Sequence, residues 1–311
     1  MLKDCGRRSL VNSINMRRRL SDIHPIVYKT RIRQKRLFRQ LNDFSAGKRF
    51  ASGILPTDLA YSCKKHQSLL RRRLGNSDPQ LQENKVRNLR IACPAIDGLL
   101  IRPGETFSFW NRLGEATADK GYCEGMQLSR GEVVRGVGGG LCQLANLLYW
   151  MALHTPLAVV ERHHHSFDPF PDENRVLPFG SGAGVFYNYI DLRFYNPTDI
   201  TFQLKLWITG HHLKGSIRSD RETPQSYHIL EKNHRFLREG GKVFRANEIW
   251  RRSYDRMTGN LVGEEMLVKN FAEVKYCIEP DEIDRHPAAA GFMVSGQKCT
   301  GESDPLETSG S

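Results

Sequence analysis

The sequence predicts an α+β protein in which a central helix, carrying Cys142 at its start, packs against a mostly antiparallel sheet. Three observations lead there. Leu141, Leu144, Leu148 and Met151 recur at helical spacing, and Thr155-Pro156 closes the run. The segment ITFQLKLWI alternates strictly, with Ile200, Phe202, Leu204, Leu206 and Ile208 on one side. Helical patterns precede the central helix, strand patterns follow it, and no internal repeat interrupts that order.

Residues 1–50 form a basic N-terminal arm, partly helical or disordered. They hold 14 Lys/Arg and three Asp/Glu, so +11 of the formal +12 sits there and the rest of the chain is close to neutral. Such an arm suits an anionic surface, or is simply a solvated helix face. Zinc-finger spacing and an aromatic stacking box are both missing, so no specific nucleic acid is expected. The start MLKDCGRRSLVNSINMRRRL lacks the apolar core of a secretory signal. The longest apolar stretch, Leu141 to Val160, is broken by Gln143, Asn146, His154, Thr155 and Pro156, so no transmembrane segment is expected either. A cytoplasmic location follows as the expectation, with peripheral membrane or envelope association as the alternative. Seven cysteines without a C-x-x-C suggest neither a disulfide framework nor a cysteine zinc site.

Residues 51–278 are read as the folded domain. Val86, Leu89 and Cys93 share one face of a helix over about 79–98, which Pro94 is expected to stop before the Asp97-Gly98 turn. LLIRPGETFSFW reads as strand, turn and strand. LAVVERHHHS reads as a strand with Glu161, His163 and His165 on one face and Val160, Arg162 and His164 on the other. VFYNYIDLRFYN and ITFQLKLWI are expected to form a hairpin through Asn196-Pro197-Thr198-Asp199. Residues 211–277 offer further short strands, with a hairpin turn at Gly240-Gly241. Residues 279–311, rich in Pro, Gly, Ser and Glu, read as a disordered tail.

The stretch VRGVGGGLCQ carries the chemical question. A helix start exposes unpaired N–H groups and a positive dipole end, which favour a thiolate and a developing oxyanion. Cys142 is therefore a candidate nucleophile, with His165 ahead of His163 as general base and Asp191 as the acid. The order helix–Cys, strand–His, strand–Asp is also that of papain-like and transglutaminase-like folds, a similarity of order alone. Gly138, Gly139 and Gly140 are read as room for a substrate, and Gln143 and Asn146 as groups that hold it. Backbone N–H groups of Cys142 and Gln143 would form the oxyanion site. Glu161, Arg162 and Ser166 are expected to orient the histidine strand. Two other readings stay open at this point: a small buried cysteine in a tight turn, and a metal site drawing on His163, His165, Cys142, His154 or Asp191. Trp110 and Tyr149 are expected to fill the core or a groove. No cofactor and no metal are assigned.

The segments PGETFSFW (103–110), GY-x-EGM (121–126), GGGLCQLANLLYW (138–150), ERHHHS (161–166) and DLRFYNPT (191–198) resemble the VanW family in order and spacing, over about residues 60–220. The resemblance implies a link to bacterial cell-envelope and glycopeptide-resistance biology, with a cell-wall-related peptide or glycan as ligand. It carries no assigned activity. Amide hydrolysis or acyl transfer at Cys142 is one expectation, and a non-enzymatic peptide- or peptidoglycan-binding module the other. Many relatives have Gly-Arg-Asp-Ala where this chain has Gly180-Ser181-Gly182-Ala183, so the acid is absent here.

Overall fold

The strongest apolar periodicity in the chain becomes its most buried helix. A computed structural model describes residues 25–71, 78–129, 132–164, 167–168, 171–172, 176–187, 190–279 and 283–284. The chain divides into two units between Gly47 and Lys48. The first contributes helix α1 (Pro25–Ser45). The second contains, in chain order, β1 (Arg49–Phe50), β2 (Tyr61–Leu69), α2 (Pro79–Ile96), β3 (Leu99–Ile101), β4 (Glu105–Ser108), α3 (Phe109–Leu113), β5 (Glu124–Ser129), β6 (Glu132–Val137), α4 (Cys142–Ala152), β7 (Ala158–Glu161), β8 (Phe167–Asp168), β9 (Arg193–Tyr195), β10 (Phe202–Ile208), β11 (His212–Ser219), β12 (Gln225–Glu239), β13 (Lys242–Asp255), β14 (Leu261–Val274) and β15 (Ile283–Asp284).

The architecture is α+β. Among the described residues four sheets have the orders β1-β4-β9-β7, β2-β11-β10-β3, β15-β12-β13-β14-β8 and β5-β6. Pairs are antiparallel except β1 with β4, β12 with β15 and β14 with β8. α4 packs on β2 and β11, and α2 on β10. Leu144, Leu147, Leu148 and Met151 of α4 are fully buried, each contributing about 1.5–3 kcal/mol by leaving water. The remaining side of the helix start holds Cys142, Gln143 and Asn146, all half-buried.

Several expectations shift for local reasons. α2 runs through Pro94 to Ile96, because a proline in the last turn removes only one donor and the Asp97 N–H still closes on Cys93 O at 2.9 Å. Phe109 and Trp110 begin a short helix instead of ending a strand. Ser108 caps it, accepting from the Asn111 N–H at 3.2 Å. β9 and β10 do not form a hairpin; β9 lies between β4 and β7, and β10 between β3 and β11. Buried Asn196 holds the crossing chain, donating from Nδ2 to Ile101 O (2.9 Å) and Ile200 O (2.7 Å), so the turn hands the chain from one sheet to the next. The strands between 225 and 274 are long, 15, 14 and 14 residues. Gly240 and Gly241 do join two of them, with φ of 56° and 78°, as a two-residue turn between twisted strands requires. Ile283–Asp284, inside the expected tail, pairs in parallel with β12.

Candidate functional site

The triple glycine is where sequence and packing meet most closely. A Cβ on Gly139 would lie 2.1 Å from the backbone carbon of Gly125 in β5, and one on Gly140 would lie 2.2 Å from the Lys85 side chain of α2. Gly138 and Gly140 have φ of 76° and 92°. Asn88 of α2 locks the turn, donating to Gly139 O and Cys123 O at 2.9 Å and accepting from the Cys123 N–H at 2.8 Å. The space the glycines leave is thus filled by neighbouring protein.

Cys142 opens α4 directly after this turn. Its Sγ lies 3.9 Å from Val185 O, and burial pushes its thiol pKa up, only partly offset by hydrogen bonding to backbone groups. At neutral pH such a thiol is protonated, and less nucleophilic than an exposed one. The Gln143 N–H donates to Gly140 O at 3.0 Å, so this expected oxyanion donor is used within the turn. The Gln143 side chain turns to β2, donating to Ser68 Oγ (2.9 Å) and Leu69 O (2.8 Å). Asn146 accepts from the Ala183 N–H at 2.6 Å, and a Cβ on Gly182 would stand 3.1 Å from its Oδ1. An aspartate at 182 would bring its carboxylate toward that amide oxygen.

β7 ends at Glu161, short of the strand expected through the histidines, but an isolated bridge of His163 with Gly184 keeps the following chain extended and its side chains point two ways. On one side, His163 Nε2 lies 3.0 Å from Glu161 Oε1, which also accepts the Asp191 N–H at 3.0 Å. Asp191 is buried and bonds to neither His163 nor His164. It accepts from Ser108 Oγ (2.6 Å), the Trp110 N–H (3.1 Å), the Leu192 N–H (2.9 Å) and Arg193 Nε (2.9 Å). The carboxylate beside His163 is therefore Glu161. On the other side, Arg162 donates from Nε to Gly182 O at 2.9 Å and from Nη2 to Gly180 O, and lies 5.1 Å over the Tyr149 ring. Among the described residues no carboxylate forms an ion pair with Arg162. Burial lowers its pKa, and burial, then Arg162 and then His163, lower that of His164.

His163 and Cys142 meet one segment: the Gly184 N–H donates to His163 O at 2.7 Å, and the next residue offers its carbonyl to Cys142. The two side chains share no hydrogen bond. His165 and Ser166 lie outside the described residues. His154, at the end of α4, bonds Trp150 O through Nδ1 at 2.9 Å, and among the described residues no three His, Cys, Asp or Glu side chains gather as a metal site. Tyr149, Ser108, Arg193 and the carbonyls of Gly180 and Gly182 were not singled out as partners from sequence. Only Arg193, two residues from Asp191 on one strand face, had a legible signal.

Burial, and then the nearby Lys64, His66 and His228 charges, depress the His154 pKa from 6.5 to about 4. Between those values the unfolded chain takes up a proton that the folded one refuses. Stability from this group is full above pH 6.5 and falls as pH drops toward 4, by up to about 2–3 kcal/mol. Urea midpoints measured from pH 7 to 4.5 are expected to fall more steeply in the wild type than in His154→Gln. Parallel slopes would contradict the burial of this ring.

A family model described as "VanW like protein" matches residues 84–218. The chain is 32% identical over 273 residues to "Vancomycin B-type resistance protein VanW" of Enterococcus faecalis, covering 86% of this chain and 97% of that protein. It is 33% identical over 117 residues to "Uncharacterized protein YoaR" of Bacillus subtilis, covering 37% of this chain and 36% of that protein. No solved structure matches the chain.

Proposed function

The chain belongs to the VanW family, which is linked to vancomycin resistance, and from that premise we propose that it acts as a non-catalytic accessory module that binds a cell-wall-related peptide by its carboxylate. The carrying observation is Arg162. Two of its nitrogens are held by the carbonyls of Gly180 and Gly182, its Cζ lies over the Tyr149 ring, and among the described residues its Nη1 has no acceptor. A guanidinium fixed in this way presents a planar donor pair suited to a carboxylate. Gly182 supplies no acid to neutralise it. Titration calorimetry with an acetylated alanine dipeptide, in L and D forms, tests the reading. The free acid is expected to bind and the C-terminal amide not, with Arg162→Lys weakening the acid form roughly tenfold or more. Equal binding of acid and amide, or no binding of either, would overturn it.

The Glu161–His163 pair favours a second reading, acyl transfer at Cys142 with His163 as base. The raised thiol pKa counts against it. Iodoacetamide at pH 7 is expected to label exposed Cys277 well before Cys142, as peptide mass mapping would show. Preferential labelling of Cys142 would move the assignment to a nucleophile.

A further inference from the structure

We propose that α1 is an interfacial helix that lies on an anionic lipid surface. The helix is 21 residues long. Its sequence holds six basic residues and one acid, Asp43. At 100° per residue one arc about 120° wide, interrupted by the polar Thr30, Gln34 and Ser45, takes in Val27, Leu37, Phe38, Leu41 and Phe44. All five are exposed, Phe38 at 64% and Phe44 at 87%. Exposed Arg31 and Arg33 flank the arc on its two sides, and Lys35 stands beyond Arg31. An apolar stripe bordered by cations is the pattern of a helix that sinks its stripe to the acyl boundary and keeps its charges among headgroups.

The other occupants fit less well. A nucleic acid would engage the cations but leave two phenylalanines and two leucines in water. A second copy would bring two sets of flanking arginines together. Crossing the bilayer is excluded for this helix, since none of the described helices is long and apolar enough. Only a surface with both anionic headgroups and an apolar layer satisfies the two features at once. Neither feature alone is expected to hold the chain, because stable membrane association takes two signals.

Flotation of the full chain with vesicles separates these cases. The wild type is expected to float with vesicles of mixed phosphatidylglycerol and phosphatidylcholine and not with phosphatidylcholine alone. Binding should weaken as salt rises. Phe38→Glu with Leu41→Glu, and separately Arg31→Ser with Arg33→Ser and Lys35→Ser, are each expected to abolish it. Three juxtamembrane cations correspond to a loss on the order of a hundredfold in partitioning. Unchanged circular dichroism of both variants would show that the body stays folded. Failure of the wild type to float with the anionic vesicles would overturn the proposal. So would retained binding in either variant, equal binding to neutral vesicles, tighter binding to duplex DNA than to vesicles, or loss of a dimer in the Phe38/Leu41 variant.

Discussion

Gly139→Ala is expected to destabilise the protein by about 3 kcal/mol or more, at the upper end of what overpacking costs. The added carbon would stand 2.1 Å from the carbon and 2.2 Å from the oxygen of Gly125, and both belong to backbone. Gly125 cannot retreat easily. Its strand is paired along its length with β6, and Asn88 pins both the Gly139 carbonyl and the Cys123 peptide one strand-step away. The effect is steric, since Gly139 does not have positive φ. Gly104→Ala serves as the contrast. Its φ is 74° and nothing lies within 4 Å of the added carbon, so only backbone strain of about 1–2 kcal/mol is expected. Urea unfolding of the two variants measures the difference. If Gly139→Ala unfolds at the wild-type midpoint, the turn is not packed on β5, and the glycines are again open as room for a ligand.

Asp191→Ala is expected to cost about 3–5 kcal/mol, the penalty for removing one partner of a buried ion pair. The carboxylate is buried and accepts four hydrogen bonds, from Ser108, Trp110, Leu192 and Arg193. Those donors sit on the last residue of β4, on the second residue of α3, on Leu192 and on the first residue of β9, so one side chain joins the end of one strand to the start of a helix and to the start of another strand. Its loss removes the carboxylate 2.9 Å from the Arg193 guanidinium, which is also buried, and Glu161 lies farther from that group at 3.5 Å. Asp191→Asn keeps the volume and removes the charge, and is expected to lose a smaller share of the same stability. Thermal unfolding and, in parallel, peptide binding give the decision. A variant with wild-type stability that has lost only function would return Asp191 to the catalytic or binding role that its place in the sequence suggested.

Much of this architecture was legible beforehand where the signal is local. The helix beginning at Cys142 followed from four apolar residues at helical spacing, and the Gly240-Gly241 turn from the backbone freedom that such a hairpin needs. The pairing of β9 and β10 was not legible. Two alternating strands four to six residues apart look like a hairpin, and only the buried amide of Asn196, bonded to Ile101 on another strand, turns them into members of different sheets. Within the site, alternation along the histidine strand put Glu161 and His163 on one side and Arg162 on the other, and the side chains do divide in that way.

By itself the sequence determined the elements, the family motif and the residues that compete for a chemical role, because periodicity, turn chemistry and spacing act within a few residues. The tertiary structure decided what those residues can do. Whether Cys142 is ionised depends on burial and on Val185, 43 residues away. Whether three glycines make a pocket depends on Gly125 and Lys85 occupying the space beside them. Charge state and free volume are set by everything that surrounds a group, and most of what surrounds these groups comes from distant parts of the chain.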